Sequence, residues 1–580
     1  MKRILRLFLA TAGLLLFAIP AAHAAEKVLT ASCPASGQGR VVWQQNRAGR
    51  YLCLPGGWDA SAVTLSADGL DCIYIGEEQR EIRLNQPADL RPYLGLRVPV
   101  RGGDGKGMGN LLIVQGSPVT SLLFQVDDKA FRAINGSQDK SITSGTVIAV
   151  EGDGNESCNG SLRLMKTRGK NSFTYNKKSY EFKLEDKAPL GGMPKDRTWL
   201  LLANYADVSM LRNQITLDLC REIGLPYSVR CAPADVWVNG QYLGLYLLTE
   251  KIQIKKHRVN ITNLEDAMKA VNSEPLDSFP VSTIKDGSLP FMRGYQIPND
   301  PEDITGGYLV TIEKPYRMGK FGYPGIGTVQ NIYFRVKEPT NPSLAEIRYL
   351  AERISGMHDA VFAEDGRDPA TGKHFSEFLD VNSFALKFLV DDVSKNYDAA
   401  AGSQYMFKDS DSVDPLFYAG PAWDYDIAYG NAWRYTTAET DYYAMKPEAK
   451  YFYAQLGKHD DFRQLLKEKW RNAVRPALAV LIGERQPAPD GILKPFDDYV
   501  AAISKSAAMN EVRRNKGTPM TRDAGNDFKS GTEYLGPWLV RRTHYLDRTY
   551  AMAENEEANE TTARPETADK TEPTVQEGEQ

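Results

Sequence analysis

Histidine is scarce in this 580-residue chain, with six in all. His23 lies near the start, and His257, His358, His374, His459 and His544 stand apart from one another. None belongs to an H-E-x-x-H pair, and no G-x-S-x-G elbow occurs, so zinc and serine hydrolases find no support. No C-x-x-C pair occurs either, which removes thiolate metal sites. Beyond the opening segment no apolar run approaches the roughly 20 residues that a membrane span needs. Net charge is small, −4, and is concentrated at the two ends. Lys2, Arg3 and Arg6 make the start basic, while residues 554–580 hold nine acidic and two basic residues. The remainder is near neutral, which argues against nucleic acid as a partner.

Both ends read as lying outside the fold. The basic start, the apolar run from Leu7 to Pro20 and the Ala22-His23-Ala24 triplet form a secretory signal over 1–24, with mature protein beginning near Ala25. Export to the periplasm, or to the outside or cell surface, follows as an expectation. Residues 554–580 lack the large apolar side chains that offset chain entropy, so a disordered acidic tail is expected there. Six cysteines, an even number, then suggest disulfides in an exported chain: Cys33, Cys53, Cys72, Cys158, Cys220 and Cys231. Their connectivity stays open.

Between the ends, composition divides the chain into three. Residues 25–115 are rich in glycine and short β-like runs, and predict a small β-rich domain. Residues 116–262 predict a sheet with one helix. "SYEFKLE" alternates, with Tyr180, Phe182 and Leu184 on one face. The stretch 207–224 predicts a helix capped by Asp207 or Ser209, and Asn239-Gly240 predicts a type I′ hairpin turn within 234–252. Residues 263–553 predict a mainly helical unit. Residues 265–305 read as a loop, Ser343 and Glu346 as a capping box, and Asp380 as the N-cap of a helix over 380–396. Two short β runs follow, "QYMFKD" and "PLFYAGPAWDYD". The fold class is α+β.

The chemistry concentrates after that helix. A loop holding Asn396 and Asp398 leads into the β-hairpin, whose second strand delivers Asp424-Tyr425-Asp426. Residues i and i+2 of a strand point the same way, about 7 Å apart, so both carboxylates can face one cleft. One carboxylate to orient a hydroxyl and another to hold Mg²⁺ against phosphates is the layout of a phosphotransferase. Upstream, "KTRGKNSFTYNKKSYEFKL" offers Arg168, a glycine turn at Gly169, Ser172, and Lys183 on the polar face of a strand. Backbone N–H groups of such a turn, with a strand-borne lysine, suit phosphate oxygens. A carbohydrate-active enzyme built on paired carboxylates is a weaker reading, because i and i+2 of one strand do not flank a scissile bond.

Five ordered blocks resemble the CotH family of atypical, spore-coat-protein-H-like kinases. They are "RGKNSF" with "KKSYEFKL", "WLLLANYADVSMLRN", "VWVNGQYLGLYLLTEKI", "TGGYLV" and "GPAWDYDIAYGN", and the likeness spans about 150–550. The resemblance implies a two-lobed protein-kinase-like fold that uses ATP with Mg²⁺ or Mn²⁺ and transfers phosphoryl groups to Ser or Thr of a protein substrate. It implies that Arg168, Gly169 and Ser172 form the phosphate loop and that Lys183 binds ATP phosphates. The strand Leu247–Glu250 becomes the hinge beside adenine, with Glu250 a nucleotide contact. Asp398 becomes the catalytic-loop aspartate and Asp424 the metal aspartate, with Asp426 beside it. Ser403, five residues after Asp398, stands where kinases carry a metal-binding Asn. A cell-envelope or surface binding protein that keeps this fold without catalysis is the alternative.

Overall fold

The computed structural model of the chain describes residues 27–36, 39–169, 172–286, 289–328, 331–396, 402–432, 452–513, 519 and 524–551. The expected signal over 1–24, the expected acidic tail and Asp398 lie outside the described residues.

Alternation of apolar and polar residues drives the central element, a closed seven-stranded barrel. Its strands run in the order Thr120–Gln125, Thr146–Val150, Glu156–Arg168, Ser179–Ala188, Asp196–Leu202, Gln241–Glu250 and Cys231–Val238. Closure comes from a parallel ladder between Thr120–Gln125 and Cys231–Val238. Tyr180, Phe182 and Leu184 point inward as their alternation predicts, beside Phe124, Trp199 and Tyr246. The hairpin turns at Asn239 and Gly240, both at positive φ (51° and 77°), as a type I′ turn requires.

Before the barrel lie a four-stranded and a six-stranded sheet, spanning Thr30–Gln115. Their core takes in Trp237 and Tyr242 from the barrel and Met509 from the helix Phe496–Val512. Buried polar bonds seal the same junction: Ser117 N–H donates to Ser506 Oγ (2.8 Å), and Ser506 Oγ donates to Asp235 (2.6 Å).

All six cysteines are free thiols, so the expected disulfides are absent from this structure. For one pairing the reason is visible in the six-stranded sheet. Cys53 lies on Gly49–Leu54 and Cys72 on Cys72–Ile75, strands separated by two others. Three strand spacings amount to about 14 Å, beyond the roughly 7 Å that a bridge spans.

After the barrel comes a second, seven-stranded sheet. Its order is Val281–Asp286, Leu289–Tyr295, Gly325–Gly327, Tyr333–Glu338, Tyr308–Glu313, Gln404–Lys408 and Phe417–Ala419. Residues 265–305, read as a loop, therefore hold most of the helix Leu264–Val271 and two strands. The two strands pair with each other, and Leu289–Tyr295 pairs again with Gly325–Gly327, a partner that lies outside the 265–305 stretch and that its local signals do not show. One face of this sheet, with Val310, Ile312 and Met406, packs on the helices Leu344–Phe362 and Val381–Ser394. The Ser343–Glu346 capping box and the Asp380 N-cap both form as predicted. Among the described residues no helix is long and apolar enough to cross a membrane.

The barrel meets the second sheet through residues 251–254. Glu338 accepts a hydrogen bond from Ile254 N–H at 2.8 Å. Burial pushes its carboxyl up to about 7 from the ordinary 4.5. Its proton is held more tightly folded than unfolded. The stabilisation is therefore full below pH 4.5 and is lost as pH rises toward 7. Glu338→Gln keeps the acceptor without the charge. The variant is expected to match the parent near pH 5 and to exceed it at pH 8 by on the order of 2–3 kcal/mol in urea unfolding.

Candidate functional site

The sheet face opposite the helical core carries a cross-strand row of Arg335, Thr311 and Tyr405. Leu309 and Phe407 share this face and pack with Ile254 and Val259. Above the row stands Trp423, packed against Leu200, Leu202 and Leu247 on the outer face of the barrel. Barrel and sheet thus meet across an apolar seam, and charged groups line its edge.

Asp424 sits on that edge. The strand Phe417–Ala419 ends before it: Gly420 N–H gives a last bond to Tyr405 O (2.8 Å), and Pro421 has no N–H to continue. Asp424 and Asp426 therefore lie on a loop rather than on the predicted strand, and the i, i+2 argument does not hold. Asp424 instead adopts φ +73°, a left-handed conformation uncommon outside glycine. Strain of this kind persists only where surroundings fix it, and it collects at functional sites.

Those surroundings are specific. Asn213 Oδ1 accepts from Tyr425 N–H (2.7 Å), and Asn396 Nδ2 donates to Asp424 O (3.3 Å). Asn431 Nδ2 donates to Asp426 O (2.9 Å) and Ala206 O (2.6 Å). Arg212 Nε donates to Ala428 O (3.0 Å), and Tyr429 shares a hydroxyl bond with Thr216 (2.7 Å). The segment 204–216 is therefore the cradle of the 424–431 loop. This corrects the predicted helix start. The helix runs Arg212–Glu222, and Asp207 caps nothing at its own position. Its carboxylate reaches forward to Arg212 N–H (2.9 Å), takes Ser209 N–H (3.0 Å) and pairs with the Arg212 guanidinium, both side chains fully buried.

Asp391 and Asp392, near the end of the next helix, are also structural. Asp391 accepts from Tyr425 OH (2.9 Å), Gln404 (2.8 Å) and Lys387. Asp392 pairs with buried Arg542 (2.8 Å).

The predicted site residues fall into two groups. Ser403 Oγ donates to Asp424 Oδ2 at 3.1 Å. Arg168, ending its barrel strand, holds its guanidinium 5.5 Å from the Trp423 ring centroid. Gly169, at φ +92°, passes so close to Ser172 Oγ that any Cβ would collide with it. Tyr175 follows Ser172, and its hydroxyl is pushed above its ordinary value by burial and then by the charges of Asp426 and Asp424. Burial likewise raises Tyr405, whose charged neighbours are Arg168, Arg335, Asp424 and Glu313. Arg168, Ser172, Ser403, Asp424 and Asp426 therefore belong to one neighbourhood.

Lys183 and Glu250 do not join it directly. Ser179 pairs with Arg168, and Lys183 lies four residues further along the strand, about 13 Å away. Its neighbours are cations: burial and then Arg163, Lys255, Arg197 and Lys251 lower its pKa. Glu181 connects the two ends through an ion pair with Lys251 (2.8 Å). Burial would raise Glu181, but Lys251, Lys166 and Arg168 hold its carboxyl below the ordinary range. The barrel thus carries a basic strip from Arg168 to Lys183. Glu250 is buried and turned to Arg230, accepting its N–H (3.0 Å) and guanidinium (3.4 Å). Glu222, the last residue of the helix Arg212–Glu222, accepts from Ile492 N–H (2.7 Å).

Trp423, Tyr405 and Arg335 are the site residues that sequence reasoning passed over. Trp423 stands inside the quoted "PAWDYD" block; the other two have no local signal, because cross-strand register brings them together. Among the described residues no group of three or more His, Cys, Asp or Glu could hold a metal ion. A cation at Asp424 would take further oxygens from phosphate and water.

Carboxylates and a hydroxyl beside guanidinium groups, where a closed barrel meets an antiparallel sheet, define the class: an α+β protein with a candidate site for a charged ligand. The family model described as CotH kinase protein matches residues 165–484, and the chain belongs to that family. No match was found among curated proteins.

Proposed function

We propose that the chain is an exported CotH-like protein kinase, transferring the ATP γ-phosphoryl group to Ser or Thr hydroxyls of a protein. The observation that carries this reading is that the Arg168 guanidinium, beside a glycine turn, lies over Trp423, the residue before Asp424, which is held at φ +73° beside Ser403. The barrel corresponds to one lobe, and the second sheet with its helices to the other. ATP phosphates lie along the basic strip, with Arg168 at one end and Lys183 at the other. The hinge falls to the end of strand Leu247–Glu250, whose backbone is paired within the barrel and whose Glu250 carboxylate is engaged by Arg230.

Asp424, Asp426 and Ser403 present oxygen donors only, which fits Mg²⁺ or Mn²⁺. Bound there, such an ion neutralises charge on the phosphates. The protein's own groups orient: Arg168 fixes phosphate oxygens, Trp423 keeps water from the seam, and Asp398 is assigned to the acceptor hydroxyl. Catalysis in this scheme is positioning and charge stabilisation.

Purified protein with γ-labelled ATP and Mg²⁺ or Mn²⁺ is expected to label itself or an added protein on Ser or Thr. Absence of label under both metals removes the assignment. Arg168→Ala tests the phosphate contact. Losing a charge-assisted hydrogen bond weakens ATP binding about 10- to 100-fold while leaving adenosine binding unchanged. Calorimetry reads both, and equal losses for the two ligands would place Arg168 elsewhere than at the phosphates.

A further inference from the structure

The link between strands Tyr308–Glu313 and Tyr333–Glu338 carries a surface of which the candidate site uses only Arg335. Residues 314–335 include Lys314, Arg317, Lys320 and Arg335 and no acidic residue. The helix Pro315–Phe321 exposes Tyr316 (63 %) and Phe321 (45 %), large rings that a merely solvated helix turns inward. Cations interleave with them. Arg317 lies 5.8 Å from the Tyr316 centroid and Lys320 5.5 Å from that of Phe321. Phe321 stacks on Tyr323, whose ring is covered by Arg335 at 3.3 Å. Beneath them Glu313 is buried and shared, 3.2 Å from Arg317 and 3.9 Å from Arg335. Arg335 Nε, shielded from solvent, has no hydrogen-bond partner among the described residues. Arg317 and Arg335 thus share the single carboxylate of Glu313.

The surface adjoins the candidate site. Gly402 N–H donates to Ile312 O (2.9 Å), and a Cβ built on Gly402 would lie 3.8 Å from Arg317 Nη1. The next residue is Ser403, bonded to Asp424.

The chain contains a segment of complementary chemistry. Residues 554–580 carry nine acidic and two basic residues, and five threonines: Thr561, Thr562, Thr567, Thr571 and Thr574. They follow the helix Phe528–Ala551, where Tyr550 OH donates to Asp392 (2.6 Å) on the helix Val381–Ser394. The 29 residues after Ala551 can span up to about 95 Å, so reach is not limiting. A tether of this kind gives a millimolar effective concentration.

We propose that helix Pro315–Phe321, with Arg335, is a docking platform for acidic, threonine-bearing peptide, and that its occupant is the chain's own segment 554–580. Docked there, a threonine comes within reach of Asp424. The final step rests on the phosphotransfer reading. The bond from γ-phosphorus to the β-phosphate oxygen breaks as one to threonine Oγ forms, ADP leaves, and the hydroxyl proton passes to solvent.

Carbodiimide coupling of the full-length chain, without nucleotide, tests docking apart from catalysis. In the monomeric band at low salt, the segment is expected to join Lys320 or Lys314 at least fivefold more than exposed Lys129 or Lys505. High salt should abolish the preference. Tyr316→Ser with Arg317→Glu should remove it, and so should Glu→Gln changes at 554, 556, 557 and 560. Even coupling to all lysines overturns the proposal. With labelled ATP, phosphate should appear on the five threonines and fall at least fivefold in both variants. Platform coupling without any phosphate keeps the docking surface and removes the phosphotransfer reading. Unchanged threonine phosphate in the variants removes the docking surface alone.

Discussion

Asp424→Asn is expected to fold as the parent does and to transfer phosphate at least about 100-fold more slowly, the scale of losing one preorganised charge. Structural tolerance follows from the backbone. Asp424 is exposed and sits at φ +73°, a region that asparagine enters several-fold more readily than most residues. The bonds that fix the loop there involve main-chain atoms, Asp424 O and Tyr425 N–H, and survive the change. The Ser403 hydroxyl keeps an acceptor in the amide oxygen. Only the negative charge is lost. Matched urea midpoints with a collapsed rate would assign that charge to the chemistry. Matched rates would take Asp424 out of the mechanism.

Arg212→Met is expected to cost about 3–5 kcal/mol of stability, the scale of stranding one partner of a buried ion pair. Arg212 and Asp207 are both at 0 % exposure. Without the guanidinium, Asp207 keeps Ser209 and the Arg212 N–H but not a full charge partner, and Ala428 O loses its donor. The 424–431 loop then loosens, so ATP affinity should fall along with the urea midpoint. Asp207→Asn in the same chain should recover part of the stability by removing the stranded charge. An unfolding free energy, from midpoint and slope together, within about 1 kcal/mol of the parent would show that the pair is dispensable.

Local signals read well where local chemistry decides. The alternation of Tyr180, Phe182 and Leu184, the Asn239-Gly240 turn and the Ser343–Glu346 box each rest on neighbours a few residues apart, and each formed as expected. Signals failed where distant partners decide. Asp207 has the composition of a helix cap, yet a guanidinium five residues on captures it. Asp424 follows a strand in sequence, but Pro421 stops the ladder, and Asn213, more than 200 residues earlier, dictates the loop. The even cysteine count suggested bridges, but all six thiols are free, and strand order keeps Cys53 from Cys72. Of the candidate site, Arg168, Ser403 and the aspartates share one neighbourhood. Arg335 and Tyr405 were invisible because their adjacency is a matter of sheet register.

The closed barrel also limits how the molecule can be cut. A fragment beginning at residue 165, where the family match starts, would discard two barrel strands and most of a third. Cys231–Val238 would be left as a raw edge, ready to pair with other chains. Removing only the leading sheets would strip the cover from Trp237 and Tyr242. Ending at 484 would forfeit Arg542, leaving Asp392 with its charge stranded. Any truncated version meant for crystals or assays therefore has to run from before Thr30 to the end of the last helix, well beyond the stretch by which its kinship is recognised.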